Sequence, residues 1–166
     1  MCEQKKFLVL GIGNPILSDD AIGIRLVEDL KAMSCNPAIH FKTASVGGLA
    51  ILDQIEGYEN VVFVDAIKTA HGKPGSVYEW DVLRFADCGH LSNFHDISFP
   101  TAIELGKKIG LSMPKNMTVL AIEIVEDRVF SEGFTPEVES QYETIFSDVK
   151  DRVGTLTGQH ESFYAK

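Results

Sequence analysis

Three short apolar runs dominate the hydrophobic pattern: residues 7–12 (FLVLGI), 60–66 (NVVFVDA) and 117–124 (MTVLAIEI). Runs of this length, almost unbroken and closed by small or polar residues, read as strands buried on both faces. Residues 39–44 form a second, weaker strand candidate. Residues 76–80 (SVYEW) alternate, as a half-exposed strand does. Between these runs the spacing changes to three and four. Ile22, Leu26, Val27, Leu30 and Met33 define one apolar helix face, which starts after Ser18, Asp19 and Asp20. Leu49, Leu52 and Ile55 mark a short helix that stops at Gly57. Residues 100–109 form another, ending at Gly110. Thr135-Pro136-Glu137 has the form of a helix start: a capping hydroxyl, proline at the first position, then an acid. Val138, Tyr142, Ile145, Val149 and Val153 continue it as one helix, with Gly154 as the expected stop. The stretch from 83 to 99 has no clean period and reads as a loop-rich segment.

Strands alternating with helices predict an α/β fold, a three-layer α/β/α sandwich on a five-stranded, mostly parallel sheet. The run at 76–80 follows 60–66 after only a turn at Gly72-Lys73-Pro74-Gly75. It is therefore expected to be antiparallel, which makes the sheet mixed. Neither a repeat nor an internal boundary is visible. The expected organisation is one domain over residues 1–154 and a polar, frayed tail over 155–166.

Composition narrows the class. The chain has 166 residues, 45% hydrophobic and 23% charged, with a formal charge of −9. That is enough to bury a full core without disulfide or metal staples. No basic run exists to neutralise phosphates, so nucleic-acid binding is a poor fit. The three cysteines (Cys2, Cys35 and Cys88) are odd in number and lack a C-x-x-C spacing, as expected of a reducing compartment. The apolar run at 7–12 is too short for a signal core or a membrane span. A cytoplasmic location, no membrane insertion and a monomer are the expectations.

In open α/β sheets ligands gather beyond the carboxyl ends of the strands. This rule singles out Gly11, Gly13, Asn14, Asp19 and Asp20 after the first strand and Asp65 at the end of the run at 60–66. Asp65 has a structural reading as a loop cap. A buried carboxylate must nevertheless be paired, bonded or used. Asp19 and Asp20 likewise have a structural reading, as acids capping a helix start. Of the five histidines, His95 is the candidate functional one. His40, His71 and His160 read as structural or surface residues. Two carboxylates and an imidazole suit a borderline divalent metal such as zinc or nickel. Cys88, His90 and His95 form a rival cluster whose spacing matches no zinc pattern. Gly11-x-Gly13 lacks the third glycine of a dinucleotide fingerprint. P-loop and G-x-S-x-G motifs are absent.

These residues together resemble a family. The run from Gly11 to Gly23 (GIGNPILSDDAIG) resembles the opening motif of the hydrogenase maturation endopeptidases, the proteases that finish the large subunit of nickel–iron hydrogenases. Val62-Phe63-Val64-Asp65-Ala66, Pro74-Gly75-Ser76-Val77, Ser92-Asn93-Phe94-His95 and Gly133-Phe134-Thr135-Pro136-Glu137-Val138 resemble later motifs of that family, in its order. The likeness runs from about residue 7 to residue 153. The chain departs at Thr43 to Gly48, where the family often carries an acid. It also has two residues rather than one between Ser92 and His95.

The resemblance implies that Asp20, Asp65 and His95 form the catalytic and metal-contacting triad. It also implies that nickel is supplied by the hydrogenase large-subunit precursor rather than by a resident cofactor; zinc or cadmium could occupy the site in vitro. The implied reaction is removal of a short C-terminal peptide from the nickel-loaded precursor. Asn14, Gly47 and Gly48 would form the loop that meets substrate, since glycine leaves room for an extended chain. Two alternatives stand beside this reading: a peptidase of the same fold with another substrate, and a non-catalytic metal- or nucleotide-binding α/β module.

Overall fold

The computed structural model describes residues 5–45, 49–82 and 99–158. Its elements are β1 (Lys5–Ile12), a 3-10 turn (Ser18–Ala21), α1 (Ile22–Met33), β2 (Ile39–Ala44), α2 (Ala50–Ile55), β3 (Tyr58–Ile67), β4 (Val77–Asp81), α3 (Phe99–Lys108), β5 (Asn116–Glu123), α4 (Pro136–Glu139) and α5 (Tyr142–Thr157). The sheet order is β2-β1-β3-β5-β4. Four strands run parallel and β4 runs antiparallel to β5. The fold is thus the expected α/β sandwich with a mixed, mostly parallel five-stranded sheet. β5 lies between β3 and β4, so the connection through Gly72–Gly75 crosses a strand.

Alternation along the strands divides the core. Leu8, Leu10, Val61, Phe63 and Val119 face α2 and α3, where Ile51, Leu52, Ile55, Ala102 and Ile103 cover them. Val9, Val62, Val64, Leu120 and Ile122 face α1 and α5, meeting Ile22, Leu26, Leu30, Ile145 and Val149. Both faces of β1, β3 and β5 are covered, so those strands had to read as continuous apolar runs.

The last helix departs from the sequence reading in two places. The expected single helix from Thr135 is broken into α4 and α5. A continuous helix would bond the Gln141 N–H to the Glu137 carbonyl. Instead that carbonyl accepts from Ser140 Oγ at 3.2 Å and Gln141 Nε2 at 2.9 Å, and the Gln141 N–H goes to Val138 O at 3.1 Å. Polar side chains have displaced the backbone donor. The helix also runs through Gly154 to Thr157. Its stop is Gly158, whose φ of 67° is the left-handed cap geometry. Val153, Gly154 and Thr157 are buried, and that burial outweighs the helix penalty of about 1 kcal/mol for glycine. Residues 155–157 are therefore helical. Residues 159–166 lie outside the described part.

One close approach sets the position of α1. A Cβ on Gly23 would overlap the carbonyl oxygens of both Ile12 and Val64, and a Cβ on Gly11 would overlap the Gly23 carbonyl oxygen. The first turn of α1 therefore rests directly on the carboxyl ends of β1 and β3. Gly23→Ala is expected to cost about 1–3 kcal/mol through overpacking. Urea denaturation should show this as a lower midpoint at unchanged slope.

Candidate active site at the carboxyl edge of the sheet

The chain leaves β1 through Gly13, whose N–H reaches Ala44 O of β2 at 3.3 Å. Gly13 has φ 152°, and a Cβ there would overlap the Asp20 carbonyl oxygen. Asn14 then closes a tight turn: its Oδ1 accepts from Ile16 N–H at 3.2 Å and its carbonyl from Leu17 N–H at 3.1 Å. The turn folds the loop back so that the Asn14 N–H donates to Asp20 Oδ2 at 2.8 Å. Asn14, expected in a substrate loop, thus has its side chain engaged in shaping the turn and its amide in orienting Asp20.

The adjacent acids divide their roles. Asp19 is fully buried and accepts four hydrogen bonds. Oδ2 takes the N–H groups of Val125 and Glu126 at 3.1 and 3.0 Å and the Thr135 hydroxyl at 2.9 Å; Oδ1 takes the Thr135 N–H at 2.7 Å. It pins the 3-10 turn to the loop after β5 and to the start of α4. Two expectations change here. Neither acid makes a side-chain cap on the turn or on α1, and the Thr135 hydroxyl serves Asp19 rather than capping α4.

Asp65 lies near the end of β3, paired in register with Ala121 of β5, and is fully buried. Its Oδ1 accepts from the Ala66 N–H at 2.8 Å. Its Oδ2 has no hydrogen-bond partner among the described residues. Burial pushes the Asp65 carboxyl well above the usual carboxylate range. The negative charge of Asp20 raises it further, and the Ala66 amide offsets part of this. The structure therefore brings Asp20 and Asp65 together as two buried carboxylates whose charges oppose each other. His95, Gly47 and Gly48 lie outside the described residues, as do Cys88 and His90. Among the described residues no group of three or more His, Cys, Asp or Glu is placed to hold a metal.

One buried acid escaped the sequence reading. Glu123, at the end of β5, accepts from Thr69 N–H at 2.7 Å and Thr69 Oγ1 at 3.0 Å. Gly72 lies against its carboxyl group, where a Cβ would overlap it. The pair of bonds fastens the β3–β4 connection over the sheet edge. The only sequence signal was an acid inside an otherwise apolar run, MTVLAIEI. Two further histidines behave as expected: His40 bonds the Tyr58 hydroxyl at 2.9 Å, and His71 is exposed; His160 lies outside the described residues.

Comparison with known proteins places this edge in context. The model of the family described as hydrogenase maturation protease matches residues 24–151. The chain belongs to the hydrogenase maturation protease family. Among its relatives, the hydrogenase 2 maturation protease of Escherichia coli strain K12 is 26% identical over 151 residues, covering 87% of this chain and 88% of that protein. The hydrogenase expression/formation protein HupD of Thiocapsa roseopersicina is 26% identical over 148 residues, 85% of this chain and 64% of that one. Among solved structures, the hydrogenase maturating endopeptidase HybD from E. coli superposes with a TM-score of 0.69 at 23% identity, over 90% of this chain and 93% of that one. A solution structure of an endopeptidase from E. coli gives 0.70 at 24% identity over the same shares. These superpositions show that the family shares this fold. Among the described residues, no helix is long and apolar enough to cross a membrane.

The two aspartates make opposite predictions. Asp19→Ala leaves four donors, three amides and one hydroxyl, without their acceptor, and is expected to lose about 2–4 kcal/mol of stability. Asp65→Asn removes a carboxyl group whose ionisation burial and Asp20 both oppose, and should stabilise the metal-free protein at neutral pH. Folded Asp65 holds its proton more tightly than unfolded Asp65, so this group favours the folded state in acid. Its contribution falls away as pH rises above about 3.8, the ordinary value. Thermal melts across pH should show the Asp65→Asn gain at pH 7 and its disappearance below pH 3.8.

Proposed function

We propose that this protein is an endopeptidase that removes a short C-terminal peptide from the nickel-loaded precursor of a nickel–iron hydrogenase large subunit. The observation that carries the reading is the buried Asp20–Asp65 pair, in a chain of the hydrogenase maturation protease family. Two carboxylates that repel each other, one with an oxygen lacking a described partner, favour a substrate that brings a cation. A precursor without nickel offers no charge to offset the repulsion, whereas a nickel-loaded precursor supplies it. Affinity would then report whether the metal has been inserted.

In this reading Asp20 and Asp65 contact the nickel that the precursor carries, with His95 as the third contact. Nickel is part of the substrate, and the protease needs no resident cofactor. Zinc or cadmium would fill the same place in vitro. The peptide bond is cut by water, with one of the two carboxylates accepting its proton. Asn14 fixes the Asp20 carboxylate through its backbone N–H, and Gly47-Gly48 leave room for the extended C-terminal segment. The partner is the large-subunit precursor. The protein acts as a monomer in the cytoplasm, without nucleic acid or membrane insertion.

Asp20→Ala and Asp65→Ala are each expected to fold and to slow processing of the nickel-loaded precursor on the order of 10²-fold or more. Mass spectrometry of the precursor after incubation measures the loss of the C-terminal peptide. Wild-type rates from both folded variants would defeat the proposal.

A further inference from the structure

Two loops at the carboxyl edge of the sheet are bonded into one platform. The Ile16 carbonyl accepts from Ser131 N–H at 3.1 Å, and the Ser131 carbonyl accepts from Ser18 N–H at 3.0 Å. Leu17 and Ser131 thereby pair as a parallel bridge. The Ser18 hydroxyl adds a bond to Gly133 O at 3.3 Å. Ser18 has φ 44°, a left-handed conformation that a non-glycine residue holds only when its surroundings dictate it. From below, Asp19 fastens the same two loops through its bonds to Val125, Glu126 and Thr135.

Three large apolar side chains of these two loops are exposed. Ile16 is 51% exposed, Val129 56% and Phe130 76%. An exposed phenylalanine next to an exposed valine, with an exposed isoleucine on the loop bonded to theirs, is costly in water and marks an interaction surface. The platform also carries Asp20. The Asp20 N–H bonds Leu17 O at 2.9 Å, and the Asn14 turn that leads into Ile16 delivers its amide to the Asp20 carboxylate. The ridge of Ile16, Val129 and Phe130 and the Asp20 carboxylate thus stand on one hydrogen-bonded unit.

We propose that Ile16, Val129 and Phe130 form the surface on which the folded body of the large-subunit precursor seats, through an apolar patch of its own. Seating there sets the precursor's C-terminal segment over Asp20 and Asp65. This inference rests on the endopeptidase reading. The occupant follows from continuity, since ridge and carboxylate share one hydrogen-bonded unit. A second copy of this chain is disfavoured as occupant, because each copy carries a formal charge of −9.

The test uses the full-length chain and a nickel-loaded hydrogenase large-subunit precursor with its C-terminal extension intact. Binding is measured by biolayer interferometry, processing by mass spectrometry across precursor concentrations, and oligomeric state by sedimentation. Phe130→Asp and Val129→Asp change exposed side chains and should leave the melting temperature unchanged. The expected result is a KM and Kd raised at least tenfold with kcat within twofold of wild type. Phe130→Ala should give a smaller loss in the same direction. Wild-type binding and KM in both aspartate variants would overturn the ridge while leaving the endopeptidase reading intact. A wild-type dimer that Phe130→Asp dissociates would also overturn it, assigning the ridge to self-association. A wild-type protein that neither binds nor cuts the precursor would overturn both.

Discussion

The close approach of Gly23 to the ends of β1 and β3 is the constraint on which the rest of the structure depends. Only hydrogen atoms fit between the first turn of α1 and the carbonyl oxygens of Ile12 and Val64. That contact brings the 3-10 turn down onto the sheet edge, and the turn carries both Asp19 and Asp20. The edge is where a parallel sheet leaves the ends of its strands open to ligands. A side chain at position 23 would lift the turn. Asp20 would then move away from Asp65, and Asp19 away from its amides.

The acids gathered on this contact have opposite effects on stability. Asp65 sits at a position that burial makes hostile to charge, and Asp20 adds repulsion. Asp19, one residue from Asp20, does the opposite: its four bonds join the turn, the loop after β5 and the start of α4 into a rigid frame. The frame holds the turn that carries Asp20 against the sheet edge, and so holds the unfavourable pair in place. Three exposed apolar side chains, Ile16, Val129 and Phe130, stand on the same frame.

Much of this was legible in the sequence, and the failures have specific causes. The three buried strands and the apolar face of α1 announced themselves because burial on two faces or on one leaves different periods. The carboxyl-edge rule was enough to select Asp20 and Asp65 as candidates. It could not separate Asp19 from Asp20, since both acids stand at one helix start and only the distant partners Val125, Glu126 and Thr135 distinguish them. The break between α4 and α5 depends on Ser140 and Gln141 competing for one carbonyl, which apolar spacing does not record. Gly154 looked like a stop because its burial was invisible, and Gly158 was the better stop because it takes the left-handed conformation. The place of β4 beside β5 is a long-range pairing. The turn announced its antiparallel direction but not which strand it would join. Glu123 was missed because a single acid in an apolar run looks like a strand end rather than an anchor for Thr69.

The most direct test of the account is the nickel dependence of cutting by the wild-type protein. One precursor preparation would be divided into nickel-loaded and nickel-free halves, incubated with the protease, and weighed by intact-mass spectrometry. The account predicts loss of the C-terminal peptide from the nickel-loaded half alone. Equal cutting of both halves would show that the Asp20–Asp65 pair does not read the substrate's metal.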